Sequence, residues 1–146
     1  MADVTQRASV VWEGTIARGA GRLDSASGAL EALPLDLPTR LGEASGKTTP
    51  EELLASAHAA CFAISLGSVL ARAGTPPERL EIHAAVTLDA TEGNRRISQI
   101  SLEADATVPD ADEQSFNVAL ADAERRCLIS RSLRGNVEIT ASGTLR

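Results

Sequence analysis

The sequence predicts an α+β domain in which antiparallel strands pack on a long helix. Two runs, 81–90 and 100–108, place apolar residues at every second position and read as paired, half-buried strands. An apolar stretch of helical length opens at Pro50 behind a capping signature. A second, amphipathic helical pattern starts near Asp110. With the shorter strand signals the order is strands, long helix, two strands, helix, strand, which is α+β rather than alternating α/β.

Residues 8–12 (ASVVW) form the first expected strand, closed by a turn at Glu13-Gly14. A second strand is expected over 15–23, interrupted by Gly19 and Gly21. Leu33, Leu35 and Leu37 alternate with Pro34 and Asp36, and the prolines make this an edge strand or extended segment. Residues 42–48 are expected to form a loop. Thr49 then stands at an N-cap, Pro50 at the first helical position and Glu52 at the third, and Gly74 is a natural stop. A helix of that length runs about 37 Å. It is apolar nearly all round, which suggests that a partner subunit covers one face.

Ile82, Ala84, Val86 and Leu88 share one face of the next strand. Ile100, Leu102, Ala104, Ala106 and Val108 share one face of its neighbour, with a hairpin loop at 91–96 between them. Asp110 with Glu113 suggests a second capping box. Phe116, Ala119, Leu120, Ala123 and Cys127 form the stripe of that helix. A short helical turn at 130–133, a stop at Gly135 and a final strand over 136–145 complete the chain.

At 146 residues the chain is read as one domain, 1–146. The net charge of −6 leaves no obvious basic patch for phosphate. The only aromatic residues are Trp12, Phe62 and Phe116, too few for the stacking platforms of a single-strand binder. Nucleic acid is therefore not an expected partner. No stretch of 18–20 uninterrupted apolar residues marks a membrane helix, and the first residues lack the apolar core of a secretory signal. A cytoplasmic protein is expected.

Cys61 and Cys127 are 66 positions apart. In a reducing cytoplasm a structural disulfide is not expected, so the pair is either two buried thiols or a redox couple. His58 and His83 do not join the cysteines in a metal-ligand spacing, and no metal is expected. The simplest reading of both cysteines is small core hydrophobes. The sharper one is an attacking and a resolving thiol at a buried interface. His58, three residues before Cys61, could lower the thiol pKa or be a satisfied core histidine. Glu51 in the first helical turn is explained by the helix dipole alone, and Arg40, in a loop-like segment over 38–43, by solvation.

The string Thr49-Pro50-Glu51-Glu52-Leu53-Leu54-Ala55-Ser56-Ala57-His58-Ala59-Ala60-Cys61-Phe62 resembles the signature of the osmotically inducible protein C and organic hydroperoxide resistance family (OsmC/Ohr). Val11-Trp12-Glu13-Gly14 is similar to the opening strand of the OsmC branch, and Thr39-Arg40 before a glycine-containing loop also fits. The resemblance covers essentially the whole chain. One departure follows the second cysteine: the family usually has Pro-Val-Ser-Gln, and here the residues are Leu128-Ile129-Ser130-Arg131.

The resemblance implies an OsmC-like fold and an intertwined homodimer. It implies a thiol peroxidase that reduces alkyl or lipid hydroperoxides, with Cys61 attacking and Cys127 closing a disulfide. Arg40 would favour the thiolate and Glu51 would orient Arg40, with Arg18 the alternative arginine. No bound cofactor is implied, only an external thiol reductant, in some members a dihydrolipoyl group. Glu51 and Cys61 lie ten residues apart on one helix, about 15 Å, so the glutamate serving Cys61 is expected to come from a partner chain. The other class of reading is a non-catalytic small-ligand or stress-response interaction protein on the same fold, which the fold alone does not exclude.

Overall fold

The computed structural model of the chain describes residues 2–42, 46–91, 93 and 95–146. It divides into two compact units, Met1–Pro50 and Glu51–Arg146.

The first unit holds β1 (Ala8–Glu13), β2 (Ala20–Ser25), β3 (Leu33–Leu35) and α1 (Leu37–Arg40). The strands form an antiparallel sheet in the order β1-β2-β3, so β3 with its Pro34 is the edge strand the prolines required. The second strand begins at Ala20, not at residue 15. Glu13 pairs with Ala20, so residues 14–19 must form the connection. Within it the Gly19 N–H donates to the Thr15 carbonyl at 2.6 Å. Leu37 also departs from the extended run expected for it and starts α1. The cause is Asp36, whose carboxylate caps the helix by accepting from the Thr39 N–H at 2.9 Å. The same carboxylate accepts from Lys47 at 2.5 Å, and these bonds hold its pKa down to about 2. Of the loop expected over 42–48, residues 43–45 lie outside the described residues. Among the described residues of this unit only Gly21, Thr39 and Thr48 are buried, while Val10 and Val11 are exposed.

The long helix α2 (Pro50–Arg72) runs unbroken into the second unit. There follow β4 (Arg79–Asp89), β5 (Arg96–Thr107), α3 (Glu113–Arg126), α4 (Leu128–Leu133) and β6 (Glu138–Leu145). β4 and β5 make the expected antiparallel hairpin, with a register shift at Thr87/Leu88; of its loop, residues 92 and 94 lie outside the described residues. The last strand corrects the all-antiparallel expectation, because β6 pairs parallel to β5 along Gln99–Ala106. The two helices between them return the chain across the sheet, and such a crossover makes the next strand parallel. The second capping box is also displaced. Asp112, not Asp110, caps α3, and Ser115, not Glu113, is its reciprocal partner. Serine is short enough to reach back to the cap N–H at 3.1 Å.

The core of this unit joins the stripes read from the sequence. Ile100, Leu102, Ala104, Ala106 and Val108 pack with Phe62, Leu66 and Leu70 of α2 and with Phe116, Ala119, Leu120 and Ala123 of α3. By length and a mean hydropathy of 1.8, α2 is long and apolar enough to cross a membrane, though its apolar run is interrupted, as expected from the sequence. The serines and His58 interrupt its apolar run without lowering its average below that of a span. Its Phe62, Leu66 and Leu70 stripe is committed to the core. Ala57, Ala60, Ile64 and Ala71, recurring at helical spacing, remain exposed, Ile64 by 73%.

Gly143 shows how closely β6 approaches α3. A Cβ there would sit 2.9 Å from the Ala104 carbonyl oxygen and 3.0 Å from both Leu120 and Phe116. Gly143→Ala is expected to destabilise the protein by about 1–3 kcal/mol through overpacking. Thermal unfolding at an unchanged Tm would show that β6 lies further from α3.

Candidate active site

His58, Cys61, Phe62 and Ser65 recur at i, i+3, i+4 and i+7, and so occupy one face of α2. That face meets the end of α3 and the start of α4. The Ser65 hydroxyl donates to the Ala123 carbonyl of α3 at 2.8 Å. His58 Nε2 and Ser130 Oγ of α4 share a hydrogen bond of 2.8 Å, and both residues are fully buried.

Cys127 stands between α3 and α4, closing the first and opening the second. Its backbone leaves the helical conformation (φ −56°, ψ 123°) for that one residue. Its N–H still donates to the Ala123 carbonyl at 2.9 Å, and its own carbonyl accepts from the Arg131 N–H at 2.9 Å. The break is thus held from both sides, and it places the thiol at the junction.

Both cysteines are free thiols, Cys61 half-buried and Cys127 buried. Cys61 packs against the core that holds Cys127 and bears on its titration. Burial pushes the Cys127 thiol pKa up, and the neighbouring Cys61 adds to the rise. Ser130 opposes both through its backbone N–H and its hydroxyl, contacts that favour the thiolate. Burial pushes the His58 pKa down, and the charge of Glu124 on α3 acts the other way. His58 Nδ1 is buried with no hydrogen-bond partner among the described residues.

The structure therefore brings together Cys61, Cys127 and His58 from the residues singled out by sequence. Glu51 is buried in the first turn of α2. Because α2 is continuous, it lies about 15 Å along the axis from Cys61. Arg40 is exposed at the end of α1, a helical position where a loop was expected. Arg18 is exposed in the β1–β2 connection, its N–H on the Thr15 hydroxyl at 3.3 Å. His83 is exposed on β4 beside Glu81, at 3.3 Å. Ser130 was not singled out, and no local pattern could have done so, since its partner lies 72 positions away. Leu128 and Arg131, where the chain departs from the Pro-Val-Ser-Gln wording, both lie on the exposed side of α4 while Ser130 points inward.

Two neighbouring free thiols, one half-buried and one enclosed, can cycle between dithiol and disulfide once the outer one is oxidised. The profile of a family described as OsmC-like protein matches residues 42–142. The chain is 35% identical over 128 residues to the peroxiredoxin OsmC of Escherichia coli (strain K12), covering 88% of this chain and 89% of that one. It is 32% identical over 124 residues to an organic hydroperoxide resistance protein of Xanthomonas axonopodis pv. citri (strain 306), covering 82% and 83%. Among solved structures, an organic hydroperoxide resistance protein OsmC from Legionella pneumophila superposes with a TM-score of 0.76 at 26% identity, over 99% of both chains.

Proposed function

The chain belongs to the OsmC-like family, and from that premise we propose that it is a thiol peroxidase acting on organic hydroperoxides. The observation that carries the reading is the pair of free thiols, Cys61 and Cys127, neighbours where α2 meets the α3–α4 junction. The names of the relatives, a peroxiredoxin and a hydroperoxide resistance protein, point to the same chemistry.

In the first half-reaction the Cys61 thiolate attacks the distal oxygen of the hydroperoxide. The O–O bond breaks, an alcohol leaves, and Cys61 carries a sulfenic acid. Cys127 then attacks the Cys61 sulfur, forming the disulfide and releasing water. An external dithiol of the dihydrolipoyl class restores both thiols by exchange. No bound cofactor or metal enters these steps. Cys61, half-buried, is the thiol that takes the substrate in this reading, and the buried Cys127 is the one that resolves. A reducing cytoplasm suits a site whose resting state is two free thiols.

In this reading Arg40 donates to the peroxide oxygens as charge develops and favours the thiolate, and Glu51 orients Arg40. The protein acts as a homodimer with two composite sites. Three features support the dimer: the unbroken 15 Å of α2 between Glu51 and Cys61, the exposed apolar stripe of α2, and a first unit whose described residues bury no large apolar side chain. Each leaves apolar surface or a catalytic partner to be supplied by a second copy.

The test is steady-state reduction of cumene hydroperoxide with dihydrolipoamide as donor, for the parent and for Arg40→Met. The parent is expected to turn over, and the variant to lose about 100-fold in kcat/KM, the scale of one transition-state donor. A variant that keeps the parent rate would remove Arg40 from the site and make Arg18 the next residue to replace.

A further inference from the structure

We propose that Ser130 and His58 form a proton relay that serves Cys127 when it attacks oxidised Cys61. The inference rests on the peroxidase reading and adds two residues to it. His58 is the only fully buried imidazole among the described residues, and one of its two ring nitrogens is spent on Ser130. Its Nδ1 has no hydrogen-bond partner among the described residues, so Nε2 holds the one bond that orients the ring. Ser130 Oγ lies 2.8 Å from His58 Nε2, and Ser130 stands one helical turn along α4 from Cys127, whose thiolate its hydroxyl favours. A continuous path therefore runs from the resolving sulfur to an imidazole that can accept a proton. With Nε2 unprotonated, Ser130 donates to it and is free to accept from the thiol.

Cys127 needs such a path because it is enclosed, and its surroundings disfavour the charged thiolate. Attack as a neutral thiol would be slow, since the thiolate is the nucleophile. Burial disfavours the imidazolium that the relay creates, and the charge of Glu124 on α3 offsets part of that. The other titratable groups near His58 are Cys61, three residues on along its own helix, and Cys127 at the α3–α4 junction beyond Ser130.

The Cys127 thiol proton passes to Ser130 Oγ as the Ser130 hydroxyl proton passes to His58 Nε2. The Cys127 sulfur displaces hydroxide from the Cys61 sulfenic acid that the organic hydroperoxide has formed. The imidazolium returns its proton through Ser130, and hydroxide leaves as water. One S–S bond replaces one S–H and one S–O bond, and the relay ends as it began. Ser130 passes on the proton of the reacting sulfur; His58 acts through it and is a positioning residue.

The test follows the closing step in full-length parent, His58→Gln and Ser130→Ala proteins, each checked for folding by circular dichroism, with Ser130→Ala carrying the test should His58→Gln not fold. After one equivalent of cumene hydroperoxide, sulfenic acid is trapped with dimedone and disulfide is counted by mass spectrometry across pH 5–9. Both variants are expected to accumulate trapped sulfenic acid and to close about 100-fold more slowly, the lower range for general acid–base help. Their closing rate should also lose the inflection the parent shows where an imidazole titrates. A second arm uses dithiodipyridine in place of peroxide. The first thiopyridone released reports Cys61 modification, and the second reports Cys127 attack on the resulting mixed disulfide. A slowed second release in the variants supports the relay even should the parent form no sulfenic acid, a result that would sink the peroxidase reading alone. Parent-like second release, with the parent pH profile, in the folded variants overturns the relay.

Discussion

Cys61→Ser is expected to remove hydroperoxide consumption altogether. A serine hydroxyl stays protonated at neutral pH and is a far weaker nucleophile than a thiolate, and in this account no other group can take the peroxide oxygen. Cys127 cannot substitute for it, because it is enclosed and its thiolate is disfavoured. The complementary change separates the two roles. Cys127→Ser should complete one turnover, stop with Cys61 as sulfenic acid, and then pass to irreversible higher oxides under excess peroxide. Consumption of cumene hydroperoxide by Cys61→Ser at the parent rate, followed by ferrous–xylenol orange assay, would place the chemistry elsewhere.

The second large effect concerns assembly. Glu51→Ala and Cys61→Ser should each be nearly inactive alone. Unfolded together and refolded, they should recover activity through heterodimers in which one of the two composite sites keeps an intact Glu51 and an intact Cys61. The expectation follows from the helix: α2 has no break between the two residues, and an arginine cannot bridge the distance from one side. It also follows from the exposed Ala57, Ala60, Ile64 and Ala71 stripe, which an isolated chain would leave in water. A sedimenting monomer at micromolar concentration would contradict the composite site, as would confirmed heterodimers without activity.

Much of this architecture is legible in the residues, and the exceptions have physical causes. The β5 face from Ile100 to Val108 and the α3 stripe from Phe116 to Ala123 are buried as their periods require, because each element meets the core with one face. The parallel pairing of β6 is not legible, since alternation of side chains is the same for either strand direction. The displaced α3 cap shows a local ambiguity: 110–113 and 112–115 each supply an acid followed by a polar residue at the right spacing, and only the backbone chooses between them. At the site, the Cys61 segment announces itself as a resemblance. The meeting of Cys61, Cys127, His58 and Ser130 depends on how α3 and α4 fold back over α2, which no spacing along the chain encodes. Arg40 is a helix end rather than a loop residue because one carboxylate, Asp36, caps a single turn.

Cys61 and Cys127 are expected to behave as one redox unit driven by an organic hydroperoxide, which is decided by counting thiols in the reduced protein before and after one equivalent of cumene hydroperoxide, with intact mass measured on the same samples. Both thiols should disappear together, the mass should fall by two hydrogens per chain, and dihydrolipoamide should restore both. Two thiols still titrating after the peroxide has been added, with an unchanged mass, would contradict it and leave the cysteines as inert members of a core.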